Sequence, residues 1–315
     1  MSSIQFDSIA RHIPPRVITN DDMAKIVETS DEWISSRTGI RRRHFAEEGT
    51  TSVDQAFDAA SKALEQAGSD GTDICAVVYA TFAPDMRSPA CASTLLGRLG
   101  ITQDAISFDL NAGCTGFMFA LHVANGLLLQ HPGKRVLLVA SELISKVMDF
   151  TRRETCVLFG DGAAAAVLSL RDGGEDFFIG GTQPDDTAIT VPAFTPEGGA
   201  PGIGMEGQKV FKFACGAIEE NIDKLLDIAG ITIDEVDHVV CHQANARILN
   251  HCIKHLKAAP AKFFMNIEEF GNTSAASIPI ALAQMSEEGL LNRGDKVMLV
   301  GFGAGLVHGG MLFTW

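Results

Sequence analysis

One cysteine in the sequence is placed where a thiol could act as a nucleophile. Cys114 follows Gly113 and precedes two small residues, Thr115 and Gly116, that open an apolar segment with the length of a helix. Backbone N–H groups at a helix N-terminus stabilise a thiolate, so we expect the pKa of the Cys114 thiol to be lowered. A thiolate attacks a thioester carbonyl readily and leaves as readily, and Cys114 therefore indicates acyl transfer. The other six cysteines are interpreted as buried structural side chains, the commoner role of a single cysteine.

A histidine and an asparagine later in the chain could assist this thiol. His242 ends the apolar run 236–241, and active sites gather where polar side chains end the strands of an α/β sheet. Asn272 lies next to Gly271, where it could also be a plain turn or N-cap residue. His242 could equally have only a structural role. The residue types therefore make both residues candidates without deciding between these roles.

Two further features bear on the kind of site. The glycine-rich loop 301–305 follows the last long apolar run and could present backbone N–H groups to an oxyanion, or simply end a strand. His251 and His255 are four residues apart beside Cys252, but neither a carboxylate nor a CxxC spacing supports them as metal ligands. We therefore expect a site without a metal.

The composition is that of an ordinary soluble protein. The chain has 315 residues, of which 46% are apolar and 20% are charged, and its net charge is −14. A dedicated nucleic-acid binder needs a concentrated basic surface, and the sequence contains no long lysine or arginine run. It also contains neither a secretory signal nor an apolar run of membrane-spanning length. With seven cysteines in no framework spacing, we expect a cytoplasmic protein that binds neither nucleic acid nor membrane.

Short apolar runs alternate with longer helical segments along the chain. The pattern predicts strands at 74–80, 105–110, 135–140, 163–170, 236–241 and 296–301. It predicts helices at 51–68, 116–130, 212–230, 246–256 and 275–289. Such alternation is typical of α/β proteins whose strands pair mostly in parallel.

The two halves of the chain repeat each other. Gly-Cys-Thr at 113–115, followed by a predicted helix, a turn and Val-Leu-Leu-Val, recurs as Gly-Asn-Thr at 271–273, followed by a helix, a turn and Val-Met-Leu-Val. We predict two pseudo-symmetric halves, 1–172 with the nucleophilic cysteine and 173–315 with the histidine and asparagine. Cys114 then holds the position in the first half that Asn272 holds in the second. The junction of two such halves is a natural place for a site.

Six motifs occur in a fixed order along the chain. They are Ser30-Asp31-Glu32-Trp33-Ile34, Arg37-Thr38-Gly39-Ile40, Ala112-Gly113-Cys114-Thr115-Gly116-Phe117, Phe159-Gly160-Asp161-Gly162-Ala163, His242-Gln243-Ala244-Asn245 and Gly271-Asn272-Thr273-Ser274-Ala275. Together they resemble the beta-ketoacyl-[acyl-carrier-protein] synthase III family of the thiolase-like superfamily, and the resemblance spans nearly the whole chain. It implies a five-layered α-β-α-β-α fold and a homodimer.

The resemblance also implies catalytic roles. Cys114 would be the acylated nucleophile, and His242 and Asn272 would donate hydrogen bonds to the carbonyl of a malonyl thioester. The backbone N–H groups of Cys114 and Ala304 would bind the oxyanion. The implied reaction is decarboxylative condensation of acyl-coenzyme A with malonyl-acyl carrier protein to a 3-oxoacyl product. It would initiate fatty acid biosynthesis and need no cofactor beyond the thioester substrates.

Binding residues follow from the resemblance by position. Those matched to the coenzyme A site are Trp33, Arg37, Arg153 and Asn245. The basic surface that would receive an acidic carrier protein holds Arg247, Lys254 and Lys257. The acyl pocket would be formed by Phe82, Met86, Arg87, Ser88, Phe117 and Phe302, with a loop from the partner subunit closing its end.

Three positions depart from the family pattern. Val307-His308-Gly309 stands where the family usually has Thr-Trp-Gly, and Ala304 stands where many members have glycine. Ser88 replaces a bulky aromatic residue of some acetyl-specific members, so we expect a broader starter range. Phe82, Met86 or Phe117 could refill that space, and Arg87 could instead select a starter with a terminal carboxylate.

Three alternatives stay open at this level. One is a related enzyme of specialised metabolism, with an unusual starter or with malonyl-coenzyme A as extender. Another is a papain-like hydrolase, which uses Cys, His and Asn in the same chain order, although the repeat and the Trp33–Arg37 segment speak against it. The third is a non-catalytic subunit, which would lack the nucleophile, whereas Cys114 is present.

Overall fold

The computed structural model describes residues 2–101, 104–193 and 202–315. Within these residues the strands are β1 (Ser2–His12), β2 (Arg16–Thr19), β3 (Arg42–Phe45), β4 (Ile74–Ala80), β5 (Ile106–Leu110), β6 (Arg135–Glu142), β7 (Gly162–Asp172), β8 (Phe177–Thr182), β9 (Ile189–Thr190), β10 (Gly204–Met205), β11 (His238–Cys241), β12 (Lys296–Gly303) and β13 (Val307–Thr314). The helices are α1 (Asn20–Met23), α2 (Asp31–Thr38), α3 (Ser52–Gln66), α4 (Cys91–Leu99), α5 (Gly116–Gln130), α6 (Arg153–Cys156), α7 (Gly207–Ala229), α8 (Ala246–His255), α9 (Ile267–Phe270) and α10 (Ser277–Glu287). Every strand and helix that the pattern predicts is present, with ends shifted by a few residues.

Two sheets form the frame of the molecule. The first has the strand order β1-β7-β6-β4-β5 and the second has the order β11-β12-β13-β8. β4 pairs in parallel with β5 and β6, as β11 does with β12, but the other neighbours in these two sheets are antiparallel. The expectation of mostly parallel pairing is therefore wrong for the described strands. Parallel neighbours need a long crossover, whereas β12 and β13 are joined only by the turn 304–306.

Helices pack on both faces of both sheets. α3 and α4 cover the outer face of the first sheet, α7 and α8 cover the outer face of the second, and α5 and α10 lie between the sheets. Alternation along β4 explains how one strand serves two layers. Val78 points to the central layer and Val77 to the α3 side, because successive side chains of a strand point to opposite faces. The layers follow the order α-β-α-β-α that the family resemblance implies.

The two sheets have corresponding strand orders. β4-β6-β7-β1 of the first sheet corresponds to β11-β12-β13-β8 of the second, in direction as well as in order. A three-residue turn precedes each central helix, Gly113–Thr115 before α5 and Ser274–Ala276 before α10, so the position of Cys114 corresponds to Ala275 and the predicted correspondence with Asn272 is wrong. β7 ends at Asp172, the boundary predicted between the halves. We continue to interpret the chain as two pseudo-symmetric halves, and this order supports that interpretation.

Two helices from distant parts of the sequence meet beside the central layer. The Ser30 hydroxyl caps α2 by accepting the Trp33 N–H, and the helix stops at Gly39, whose φ is +78°. A Cβ on Gly39 would lie 2.5 Å from the Ala246 Cβ, so only glycine lets α2 approach the start of α8. Residues of the first half are thereby brought next to Asn245.

Candidate active site

A cavity of about 610 Å³ brings the three candidate catalytic residues together. Cys114, His242 and Asn272 all line it, although they come from three distant segments. The other predicted site residues on its wall are Trp33, Arg37, Phe82, Asn245, Phe302 and Ala304. The tertiary structure therefore places most of the predicted site around one space.

Cys114 lies in a single 3-10 turn, Gly113–Thr115, between the end of β5 and the start of α5. Gly113 has a φ of +52°, a conformation that L side chains rarely adopt, and the Thr115 hydroxyl closes the turn by donating to the Ala112 carbonyl at 2.6 Å. The cysteine is thus held at the head of a buried helix, with its sulfur on the cavity wall.

The expected lowering of the Cys114 pKa is wrong. Burial raises the pKa of the Cys114 thiol to about 11, and a hydrogen bond from the Ser274 hydroxyl offsets part of this rise. The helix N-terminus does stabilise a thiolate, but the free energy needed to remove the charged sulfur from water is larger than this stabilisation. Ionisation of Cys114 therefore needs help from a neighbouring group.

His242 is presented by the second sheet. Its N–H donates to the Val300 carbonyl at 2.8 Å, which extends the pairing of β11 with β12 by one residue. The ring is buried, and its Nδ1 lies 2.7 Å from the Ser277 hydroxyl at the start of α10. Burial lowers the pKa of His242 to about 3, so the imidazole is neutral at physiological pH. Because Nδ1 of the neutral ring is bonded to Ser277, Nε2 is the ring nitrogen that can contact a group in the cavity.

Asn272 has its amide oriented by the backbone of its own turn. Its Oδ1 accepts the Ser274 N–H at 2.8 Å, and its own N–H donates to the Leu158 carbonyl at 2.9 Å. With Oδ1 used in this way, the side-chain NH₂ is the group left to serve as a donor. Asn272 thus suits a role as hydrogen-bond donor.

The loop between β12 and β13 lies directly against the cysteine. A Cβ on Gly303 would fall 2.9 Å from the Cys114 nitrogen, and a Cβ on Gly113 would fall 3.4 Å from the Ala304 nitrogen. Such close contact brings the backbone of Cys114 and Ala304 side by side. The arrangement suits the predicted pair of oxyanion-binding N–H groups.

The predicted coenzyme A residues cluster at one side of the cavity. The guanidinium carbons of Arg37 and Arg153 each lie 4.7 Å from the ring centroid of Trp33. Asn245 caps α8 and donates from Nδ2 to the Arg37 carbonyl at 3.1 Å. Arg153 is the member that does not itself line the cavity, and it joins the group through Trp33. Two cations stacked on an indole suit the binding of a nucleotide with phosphates.

The predicted docking residues are exposed on and just beyond α8. Arg247, Lys254 and Lys257 all face solvent. The Arg247 guanidinium carbon lies 5.9 Å from the ring centroid of Phe211, a residue of the cavity wall. Arg247 therefore lies beside the cavity, and Lys254 and Lys257 follow it along the exposed chain.

The six predicted acyl-pocket residues are not all at the cavity. Phe82 and Phe302 line it, whereas Phe117 packs in the central hydrophobic core and is absent from the lining. Phe117 is buried there because α5 turns that side chain towards the core between the sheets. Met86, Arg87 and Ser88 are exposed and do not line the cavity of their own chain.

Three residues of the site had no role in the sequence analysis. Glu142, fully buried at the end of β6, lies near Cys114, Ser274 lines the cavity and donates to the Cys114 sulfur, and Ser277 holds His242. Glu142 could have been recognised in the sequence, because it is an acidic residue at the end of the apolar strand β6. Nothing in the sequence marks Ser277, because its role depends on α10 lying behind β11.

The described residues contain neither a membrane-spanning helix nor a cluster of metal ligands. None of their helices is long and apolar enough to cross a membrane. In the same ranges, no three His, Cys, Asp or Glu side chains are grouped as ligands for a metal ion.

Known proteins resemble this chain along its whole length. Its sequence matches the family profiles of 3-oxoacyl-[acyl-carrier-protein (ACP)] synthase III over residues 108–183 and of the C-terminal part of that enzyme over residues 226–315. A Clostridium beijerinckii protein named beta-ketoacyl-[acyl-carrier-protein] synthase III is 41% identical, with all of both chains covered.

Solved structures show the same relationship. The 3-oxoacyl-[acyl-carrier-protein] synthase III of Aquifex aeolicus VF5 superposes with a TM-score of 0.93 at 35% identity, over 99% of this chain and 100% of the other. The priming beta-ketosynthase of the R1128 polyketide pathway superposes with a TM-score of 0.91 at 31% identity, over 99% and 96% of the chains. The expected fold class is confirmed by these likenesses.

Proposed function

The chain belongs to the beta-ketoacyl-[acyl-carrier-protein] synthase III family, and we propose how its cavity carries out the initiating condensation of fatty acid biosynthesis. The reaction joins an acyl group from acyl-coenzyme A to malonyl-acyl carrier protein and gives a 3-oxoacyl-acyl carrier protein. The observation that carries the assignment of residues is that Cys114, His242 and Asn272 line one cavity. The thioesters are substrates, and the scheme uses only side chains and backbone of this chain.

The first half-reaction acylates the cysteine. The Cys114 sulfur attacks the thioester carbonyl, the carbon–sulfur bond to coenzyme A breaks, and the acyl group stays on the enzyme. The N–H groups of Cys114 and Ala304 bind the oxyanion that forms in between, since Gly303 allows these two backbone segments to touch. Trp33, Arg37 and Arg153 hold the nucleotide end of the donor.

The second half-reaction is decarboxylation followed by carbon–carbon bond formation. The Ser277 hydroxyl accepts the Gln243 N–H at 3.3 Å, which leaves its own proton for Nδ1 of His242. Nε2 of His242 then carries a proton and donates to the malonyl carbonyl together with the amide of Asn272. Both groups stabilise the enolate as carbon dioxide leaves, and its carbon attacks the acyl-Cys114 carbonyl.

Intact-protein mass spectrometry tests this function in two steps. Incubation with acyl-coenzyme A should add the mass of one acyl group, and malonyl-acyl carrier protein should then remove it and yield a 3-oxoacyl carrier protein. Release of the acyl group as free acid, without a condensed product, would contradict the proposed reaction.

A second candidate is a priming role in a specialised pathway with an unusual starter. The likeness to the R1128 priming ketosynthase supports it, since that protein is also similar over nearly all of both chains. Malonyl-coenzyme A as the product-forming extender in the same assay would favour this candidate. The papain-like alternative is wrong, because the chain belongs to a family of condensing enzymes. The non-catalytic alternative finds no support, because Cys114 lies on the wall of the cavity.

Carrier-protein docking is proposed to use Arg247, Lys254 and Lys257. An acidic enzyme needs a local basic surface to receive an acidic partner. Arg247→Glu should raise the carrier-protein KM about tenfold and flatten its dependence on salt, because rim charges steer encounter. Acylation by acyl-coenzyme A should stay near its original rate. Lys62→Glu, the same charge change on the outer helix α3, is the control, and equal effects of the two variants would contradict the docking site.

A homodimer is proposed from the edge of the first sheet. β5 is an edge strand, its Ile106 is 46% exposed, and Phe108 and Leu110 are only partly buried. An edge of this kind is a template for pairing with a second copy. The Asp109 carboxylate accepts the N–H of Cys91, so the loop that carries Ser88 leads to the same edge. In a dimer this loop would reach the partner's cavity.

The starter range tests both the dimer and the acyl pocket. We expect wild-type Cys114 to accept octanoyl-, aryl- or glutaryl-coenzyme A as well as acetyl-coenzyme A, because each buried methylene adds about 0.8 kcal/mol of binding. Ser88→Phe should restrict loading to acetyl. Since Ser88 does not line its own chain's cavity, that change requires the partner's loop. An unchanged kcat/KM pattern across the four donors would contradict both proposals.

We also propose that the enzyme acts in the cytoplasm. All seven cysteines are free thiols, a state that a reducing compartment maintains.

A further inference from the structure

A carboxyl group is buried beside the nucleophile. Glu142, the last residue of β6, has no exposed surface. Its carboxylate accepts the Thr81 hydroxyl at 2.9 Å and lies 3.4 Å from the Phe82 nitrogen. The Ser274 hydroxyl and the Ala275 N–H also face it from the turn before α10. Burying a carboxyl group costs free energy, and buried acids surrounded by hydrogen-bond donors are often found at functional sites.

Ser274 connects this acid to the cysteine. Its hydroxyl donates to the Cys114 sulfur at 3.4 Å, and its side chain is completely buried. The residue has a φ of +50°, a left-handed conformation that is unfavourable for serine and is held here by the bond from its N–H to Asn272. Strained residues of this kind cluster at active sites. The strain places one hydroxyl between a thiol and a carboxylate.

Starting from the proposed function, we propose that Ser274 and Glu142 take up the thiol proton of Cys114 and keep it between the two half-reactions. Ser274 touches the reacting sulfur and is a catalytic residue in this scheme. Glu142 acts through Ser274 and is a positioning residue. When the Ser274 hydroxyl turns its proton from the sulfur towards Glu142, its oxygen can accept the thiol proton, so the relay needs only rotation of one O–H and no movement of the backbone.

The protons balance over the full cycle. At acylation the Cys114 S–H bond breaks as the sulfur–carbon bond forms, Ser274 accepts that proton, and its own proton passes to the Glu142 carboxylate. The coenzyme A thiolate takes a proton from water when it leaves. At condensation the carbon–sulfur bond to Cys114 breaks, and Glu142 returns its proton through Ser274 to the released thiolate. The overall reaction thus consumes one proton, as decarboxylation of a malonyl carboxylate requires.

The surroundings determine the pH range over which the relay works. Burial raises the pKa of Glu142 to about 8 and that of the Cys114 thiol to about 11. The other groups that face Glu142 are neutral donors, and its neighbour on the paired strand β7 is Gly162. Well below pH 8 both the acid and the thiol keep their protons, whereas at neutral pH a minority of Glu142 is ionised and can accept the thiol proton. Above pH 8 the pair carries one negative charge, which Ser274 can place on the sulfur, so reactivity rises with pH.

Alkylation of Cys114 by iodoacetamide, followed as a function of pH by site-resolved mass spectrometry, tests the relay. The wild-type rate should rise with a midpoint near pH 8. Glu142→Gln and Ser274→Ala should each move the midpoint upward and slow both alkylation and acylation about 10²-fold at neutral pH, the lower range for acid–base assistance. Wild-type midpoints in both variants would overturn the proposal.

Asp161→Asn is the matched control, because Asp161 is an equally buried carboxylate that instead accepts the Ser145 N–H and hydroxyl. It should leave the midpoint unchanged, and a shift equal to that of Glu142→Gln would count against a specific relay. If Glu142→Gln does not fold, Ser274→Ala alone decides, since it removes one hydroxyl. Alkylation needs no acyl donor, so a wild-type protein that alkylates as expected but takes up no acyl group would contradict the proposed function and leave the relay standing.

Discussion

Replacement of Cys114 by alanine is expected to abolish acyl uptake altogether, with no adduct from any acyl-coenzyme A. The sulfur is the only group of this residue that can form the thioester, and the oxyanion-binding backbone cannot replace a nucleophile. Decarboxylation of malonyl-acyl carrier protein should persist, because His242 and Asn272 still line the cavity. Intact-mass measurement and release of labelled carbon dioxide separate the two activities.

Cys91→Ala is the control for this experiment. Cys91 is buried at the start of α4, and burial raises the pKa of its thiol to about 12. Its loss should leave acyl uptake at the wild-type level. A full acyl label on the Cys114→Ala protein would show that another residue is the nucleophile.

Replacement of His242 by alanine is expected to separate the two half-reactions. Decarboxylation should fall about 10²–10³-fold, the usual cost of losing one donor to a developing oxyanion. Acylation should change little, since we propose that its oxyanion binds to the N–H groups of Cys114 and Ala304. Because burial lowers the pKa of His242 to about 3, the ring is neutral from mildly acidic to basic pH. The defect should therefore keep the same size across that range.

Single-turnover acylation and steady-state carbon dioxide release measure the two effects. His308→Ala is a suitable control, because His308 is only half-buried, bonds to Asn221 and does not line the cavity. Both of its half-reactions should run near the wild-type rate. Equal losses of acylation and decarboxylation in His242→Ala would contradict the division of labour.

Much of the fold could be predicted from local patterns. The apolar runs that became β4, β6 and β12 and the helical segment that became α5 were all recognisable, because burial against helices or sheets requires those periodicities. The family was recognisable from its motifs, and full-length relatives confirm it. The direction of the strands could not be predicted in this way. Strands of the same composition can be joined by a three-residue turn, which makes them antiparallel, or by a crossover helix, which makes them parallel. The roles of Trp33 and Arg247 remain predictions.

The residue types and spacing of Cys114, His242 and Asn272 were determined by the sequence, and so was the small-residue turn that holds the cysteine. Only the tertiary structure decided how those groups ionise. The helix position alone indicates a lowered pKa for Cys114, whereas the folded protein buries the thiol and raises it. The contact of Cys114 with Ser274, and the burial of Glu142 close to the cysteine, also exist only in the folded chain. The reason is physical: dielectric environment and hydrogen bonding depend on every atom around a group, and most of those atoms come from distant parts of the sequence.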